Sequence, residues 1–191
     1  MGVAMTLEEQ KKAARGSAFA RRKIAFGAQN EVTCEVLSEV LGAYRGAPLA
    51  GFMPINTEID PLPAMVEASA HGMVGVPVIK ARAKPLEFAK WDPETEMVAG
   101  AFKVEIPAFI EWIVPEIILV PLVAWDKEGG RLGYGGGFYD RTLERLRARG
   151  PILAIGFAFN AQEDHNLPLE PTDQCLDCLL YTSPSPRDVE E

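Results

Sequence analysis

A chain of 191 residues with a formal net charge of −8, 48% hydrophobic and 24% charged, has the size and make-up of one soluble globular domain. The negative charge argues against general nucleic-acid binding, and no apolar run approaches the ~20 residues of a membrane span. Three cysteines (Cys34, Cys175 and Cys178) are too few and odd in number for a disulfide framework, and the first residues lack a signal-peptide core, so the cytoplasm is the expected location.

Thr6 and Glu9 make a capping-box pattern, which predicts a first helix from Thr6 to about Phe26. Lys11, Lys12, Arg15, Arg21, Arg22 and Lys23 give it a basic strip inside an acidic protein. Lys11 and Arg15, four apart, share one face, and Arg22 falls near it. Such a strip is either solvated or a surface for an anion. A second helix is predicted from Asn30 or Glu31 to Tyr44, a short strand at Leu49–Met53, and a third helix from Pro61 or Leu62 to Ala70, ended by Gly72. Val74–Ile79 reads as a buried strand rich in β-branched residues. Leu86–Ala89 reads as a strand paired near Met97. Residues 91–115, with Phe102, Pro107, Phe109 and Trp112, read as a long ordered connection suited to lining a pocket. A strand at 117–124, a glycine loop, a helix at 139–149 closed by Gly150-Pro151 and a strand at 152–158 follow. Strands alternating with helices predict an α/β fold with a mostly parallel sheet, whose ligands bind at the carboxyl ends of strands.

The loop Arg131-Leu-Gly-Tyr-Gly-Gly-Gly-Phe-Tyr-Asp-Arg141 is the strongest chemical signal. Four glycines (Gly133, Gly135, Gly136 and Gly137) allow close approach of a ligand, and the helix start behind them offers free N–H groups to a phosphate. A dinucleotide fingerprint would need glycine where Phe138 stands, and an ATPase loop would need a lysine that is absent. Two readings stay open on the residues alone: a phosphate cradle of another kind, or a turn. Arg131 and Arg141 bracket the loop as guanidinium partners for phosphate. Asp140 suits either Mg²⁺ beside a phosphate or the start of a helix. Neither His71 nor His165 is expected to act as a catalytic base.

Val120-Pro-Leu-Val-Ala-Trp-Asp126 followed by Gly130 to Arg141 resembles the signature of the 5-formyltetrahydrofolate cyclo-ligase family. Further matching pieces occur in order: Lys11-x-x-x-Arg15, Phe52-Met-Pro-Ile-Asn-Thr-Glu-Ile59, Val76-Pro-Val-Ile79, and Ile155-Gly-Phe-Ala-Phe159 with Gln162. The likeness covers about residues 7–177. It implies a single-domain three-layer α/β fold resembling the NagB/RpiA/CoA-transferase-like fold. It also implies ATP-dependent cyclisation of 5-formyltetrahydrofolate to 5,10-methenyltetrahydrofolate, with Mg²⁺ as cofactor and a monomer acting on small molecules. By the same resemblance Lys11, Arg15, Arg131, Leu132, Gly133, Tyr134, Gly135, Gly136, Gly137, Phe138 and Tyr139 meet ATP. Arg15, Met53, Glu58 and Tyr134 to Phe138 meet the folate, Asp140 and Asp173 hold the metal, and Lys11, Arg15 and Tyr139 are catalytic. Thr172 stands where many relatives have histidine, and Asp177 is the alternative carboxylate.

Two other classes remain at this stage. One is a sugar-phosphate isomerase or CoA-transferase-like enzyme on a related scaffold, for which Glu58 is the available carboxylate. The other is a non-catalytic folate- or nucleotide-binding protein. Residues 178–191, Cys178-Leu-Leu-Tyr-Thr-Ser-Pro-Ser-Pro onward, resemble translated sequencing-adapter read-through. They are expected to be non-native or disordered and to carry no chemistry, leaving residues 1–177 as the domain.

Overall fold

The computed structural model describes residues 5–29 and 34–182. Helix α1 (Leu7–Gly27) opens on the expected capping box: the Glu9 amide donates to Thr6 Oγ1 at 3.3 Å, and the Thr6 amide donates to Glu9 Oε2 at 2.7 Å. It buries Lys11, Ala18, Arg22 and Ala25, which recur at helical spacing along one face. Helix α2 (Glu35–Gly42) follows; its predicted start at Asn30 or Glu31 lies outside the described residues. Then come strand β1 (Leu49–Ala50), helix α3 (Leu62–Ser69), strand β2 (Val74–Val78) and strand β3 (Glu87–Trp91). Strands β4 (Met97–Ala99), β5 (Glu105–Pro107), β6 (Trp112–Ile113), β7 (Ile117–Val120), β8 (Ala124–Trp125) and β9 (Arg131–Leu132) lead to helix α4 (Phe138–Arg147). Strands β10 (Leu153–Phe159) and β11 (Cys178–Thr182) complete the order.

The central sheet runs β11-β10-β7-β1-β2-β3-β6. It is parallel from β11 to β2 and antiparallel at β3 and β6. Period-2 alternation sends neighbouring side chains to opposite faces, and here both faces are covered. Ile117 and Leu119 of β7, with Ile155 and Phe157 of β10, pack against Leu37 and Leu41 of α2 and Met65 of α3. Ile118, Val120, Ala154 and Ala158 face Leu143 and Leu146 of α4 on the other side. The layers are therefore helix, sheet and helix, a single α/β domain with a mostly parallel sheet. Among the described residues no helix is long and apolar enough to cross a membrane.

Helix α4 is fixed at three places. The Leu86 amide donates to Thr142 Oγ1 at 2.8 Å, Arg145 Nη2 donates to the Leu86 carbonyl at 2.6 Å, and Arg147 Nη2 donates to Asp177 Oδ2 at 2.8 Å. These contacts hold the middle and carboxyl end of α4 against the sheet, while its amino end lies beside the cleft.

The structure corrects four expectations. The strand near Leu86 pairs with β2 and β6, whereas Met97 pairs with Pro107 in a separate β4–β5 hairpin. Residues 91–115 are thus a hairpin and an edge strand, because Val98, Ile106 and Ile113 find partners that no local pattern announces. The strand expected over 117–124 breaks at Pro121, which cannot donate to a ladder, and resumes as the β8–β9 hairpin. The glycine loop therefore leaves a hairpin, not a sheet strand. Finally, Cys178–Thr182 pairs in parallel with Ile155–Phe159 at five positions, so the ordered domain continues past Asp177. Residues 183–191 lie outside the described residues.

Candidate active site

A cleft of about 1320 Å³ opens along the carboxyl ends of β1, β2 and β7. Its walls are α1 (Lys11, Arg15), the connection after β1 (Met53, Glu58), the strap over 101–106, the loop 131–141, and Glu170 to Asp173. Every residue predicted for the site lines it: Lys11, Arg15, Met53, Glu58, the run Arg131 to Asp140, and Asp173. Trp112 does not; its ring lies under Lys80 Nζ at 4.5 Å. Asp177 is also away from the cleft, accepting from the Ala154 amide and Arg147.

The loop needs its glycines at two positions. Gly137 has φ +63° and immediately precedes α4; a Cβ there would stand 2.7 Å from Arg141 Nη1. Gly135 has φ +99° and faces the Arg15 guanidinium, 3.5 Å from where a Cβ would lie. Both conformations cost an L-residue strain. Arg15 Nε donates to the Gly133 carbonyl at 2.7 Å and Arg141 Nη2 to the Gly136 carbonyl at 2.6 Å. With those carbonyls held by arginines, the amino end of α4 and its free N–H groups border the cleft.

One end of the cleft is charged. Lys11 Nζ donates to Glu170 Oε1 at 2.5 Å and Asp173 Oδ2 at 2.8 Å. Burial works against the ammonium, but the two carboxylates outweigh it and raise its pKa, so Lys11 is a fixed cation. Arg131, 4% exposed, donates through Nη2 to Asp140 Oδ1 at 2.7 Å. Burial lowers its pKa, and Asp140 and Asp173 oppose that shift. The Gln174 amide also donates to Asp140 Oδ1, at 2.9 Å, which draws the 173–174 segment against α4. Each aspartate thus has one oxygen engaged, Asp140 Oδ1 and Asp173 Oδ2, and the other without a protein hydrogen bond among the described residues.

That donor set fits Mg²⁺. Magnesium is usually held by one or two carboxylates completed by substrate phosphates and water.

The other end is aromatic and less polar. Glu58, 5% exposed, accepts from the Ile55 amide at 2.8 Å and lies beside the Tyr134 hydroxyl. Burial raises its pKa against those partners and the nearby Arg22. Burial and the adjacent Glu58 push Tyr134 up to about 12. Phe138 meets Phe102 edge-on, with centroids 6.1 Å apart. Between the two ends, the Tyr139 hydroxyl is buried without a hydrogen-bond partner among the described residues, and burial drives its pKa far up. A neutral phenol that must find a partner suits a ligand oxygen better than an apolar core.

The shifted Glu58 gives a prediction. Its folded pKa lies above the free value, so its stabilising contribution is complete below the free carboxylate range and is lost as pH rises through the folded pKa. At neutral pH the ionised form is a buried liability. Glu58→Gln is therefore expected to melt at or above the unsubstituted protein at pH 7, and the advantage should shrink toward pH 4. Thermal melts at the two values check it; a variant that is less stable at pH 7 than at pH 4, relative to the unsubstituted chain, sinks it.

Sequence reading gave no individual site role to Glu170, Arg22 or Thr57. Glu170 and Phe102 line the cleft, and Arg22 and Thr57 lie behind it. Glu170 sits three residues before Asp173, a spacing that could have marked it. Phe102, at φ +55°, belongs to the stretch read as suited to lining a pocket, and it lines this cleft.

Residues 7–182 match the family model described as the 5-formyltetrahydrofolate cyclo-ligase family. The 5-formyltetrahydrofolate cyclo-ligase of Haemophilus influenzae is 38% identical over 100 residues, which is 50% of this chain and 53% of that protein. The Escherichia coli K12 protein of the same name is 33% identical over 142 residues, 71% of this chain and 78% of its own. The solved 5,10-methenyltetrahydrofolate synthetase of Aquifex aeolicus has a TM-score of 0.69 at 25% identity, covering 98% of this chain and 96% of that one.

Proposed function

The chain belongs to the 5-formyltetrahydrofolate cyclo-ligase family, and from that premise we propose that it converts 5-formyltetrahydrofolate and ATP to 5,10-methenyltetrahydrofolate, ADP and phosphate. The observation that carries this reading is the meeting, in one cleft, of a cationic glycine loop at a helix start with a buried carboxylate ringed by aromatics. The first suits a triphosphate, and the second suits a pterin, whose ring N–H and amine can both donate to one carboxylate.

A formamide is a poor electrophile and its oxygen a poor leaving group. In the proposed reaction the formyl oxygen attacks the terminal phosphorus of ATP and ADP leaves. N10 then attacks the activated carbon, closing the ring; the oxygen departs with phosphate, and the N10 proton is lost to that phosphate or to water. The protein's part is positioning and charge neutralisation. Lys11 and Arg15 would meet the phosphates from α1, and the loop amides from the other wall. Asp140 and Asp173 would hold Mg²⁺, which supplies charge neutralisation on the nucleotide. Glu58, Met53 and Tyr134 would orient the pterin. The Tyr139 hydroxyl, between the two ends, would donate to the oxygen being transferred. We propose further that the protein acts on small molecules as a cytoplasmic monomer.

The deciding experiment mixes the protein with 5-formyltetrahydrofolate and Mg²⁺, with and without ATP, and follows the methenyltetrahydrofolate absorbance. A rise only with ATP is expected. Folded protein that is stabilised by folate but shows no rise would be a binding protein instead, and product formed equally without ATP would point to another enzyme class. Lys11→Ala is expected to raise the KM for ATP about tenfold, a loss of ~1.4 kcal/mol of binding, with the KM for folate within about twofold. Equal increases in both would remove the phosphate role.

A further inference from the structure

Arg22 of α1 is 1% exposed and does not reach the cleft. It forms no ion pair with a carboxylate among the described residues. Its Nη2 donates to the Tyr134 hydroxyl at 2.8 Å and its Nε to Thr57 Oγ1 at 3.0 Å. Its Nη1 is buried without a hydrogen-bond partner among the described residues. The guanidinium packs over the rings of Phe19 and Tyr134, at 5.1 and 5.5 Å from their centroids.

A buried, unpaired guanidinium is expensive, and an apolar side chain of similar length would pack the same space at lower cost. The contacts give a reason for its presence. Arginine has donors and no acceptor. A Tyr134 hydroxyl that accepts from Arg22 must therefore direct its own proton elsewhere, and the acceptor beside it is Glu58. Thr57, the residue before Glu58, is held by the same guanidinium through Nε. Arg22 thus reaches both sides of the carboxylate: the hydroxyl that lies beside it and the residue that precedes it in the chain.

We propose that Arg22 is a positioning residue for the folate subsite, which aims the Glu58 carboxylate and clamps the Tyr134 ring at the cleft wall without itself touching substrate. This rests on the reading that Glu58 and Tyr134 meet the pterin. Charged and titratable groups that face Glu58 are Arg22 on α1, Tyr134 on the loop and Tyr139 on α4; only Arg22 among them is a cation.

The test is a kinetic split. Arg22→Met is expected to raise the KM for 5-formyltetrahydrofolate about tenfold or more, with kcat and the KM for ATP within about threefold. Arg22→Lys, which keeps the charge and loses the planar fork, should fall between. In a Tyr134→Phe background the Arg22→Met change should add clearly less than its full effect, because the hydroxyl is already gone and only the hold on Thr57 and the ring packing remain to be lost. A purely structural arginine would move both KM values together, or add its full effect in that background, and either result overturns the proposal. If Arg22→Met does not fold, Arg22→Lys read by the same ratio decides. Unsubstituted protein that makes no product with ATP refutes the functional reading, and this inference with it. Unsubstituted protein that turns over while Arg22→Met keeps its folate KM refutes the inference alone.

Discussion

Asp140→Asn is expected to cut ATP-dependent turnover about 100-fold or more, in the range lost when one electrostatic stabiliser of a transition state is removed, and to lower the melting temperature as well. From the sequence alone, the substitution is expected to lose Mg²⁺-dependent turnover while the protein stays folded. The structure alters that expectation. Asp140 lies in the first turn of α4 and its carboxylate is the counter-ion of Arg131, whose side chain is 3% exposed. Asparagine keeps an acceptor for Arg131 and for the Gln174 amide but supplies no charge. Removing one partner of a fully buried pair costs about 3–5 kcal/mol. The Asp140 side chain is 23% exposed and so partly screened, which reduces the expected loss to about 1–3 kcal/mol, or ~3–10 °C for a chain of this size. Raising Mg²⁺ should recover part of the activity and none of the thermal loss. Unchanged turnover would show that Asp140 holds no metal; unchanged melting would show that Arg131 does not depend on it.

Ending the chain after Asp177 is expected to have the largest effect on stability. Strand β11 covers the edge of β10 along five register positions. Cys178 and Leu180 pack against one core cluster and Leu179 against the other. The Tyr181 ring stacks on Trp125 with centroids 4.7 Å apart, and Trp125 in turn donates to the Phe159 carbonyl and begins the hairpin that carries the glycine loop. Removing the strand bares an edge rich in apolar residues and forfeits the ladder, the packing and the stack. A loss of about 3–5 kcal/mol is a large part of the ~5–15 kcal/mol a domain possesses, equivalent to ~6–20 °C. Calorimetry of the 1–177 chain beside the 1–182 chain checks it. Coincident melts would mean that β11 is an ornament on a domain complete without it. Activity should fall with stability, because the hairpin under Tyr181 positions Arg131.

Much of the layout was readable from local pattern. The Thr6–Glu9 box started α1 where expected, the fully buried Val-Gly-Val-Pro-Val of β2 read as a strand, and four glycines before a helix start marked the loop. Where reading stopped, partners were remote. Val98 and Ile106 form a hairpin that neither segment announces. Pro121 ends β7, a break written in the chain but overridden in the reading by the apolar run around it. The residues after Asp177 read as foreign text, yet Leu179 and Leu180 have the β-prone, apolar character of a strand, and an open edge on β10 accepts them.

The sequence by itself determined the residue kinds: cations one helical turn apart on α1, a glycine run compatible with positive φ, carboxylates before and after the strand β10, and a family signature. Those features act over a few bonds, through backbone sterics and helical periodicity, and so they survive in the linear text. Only the tertiary structure decided that Lys11 meets Asp173 across 162 positions, that Arg131 neutralises Asp140, and that Arg22 lies buried behind Tyr134 across 112. Such pairings arise from strand order and from the burial that strengthens a charge–charge contact, and both are properties of the assembled sheet that no spacing in the chain records.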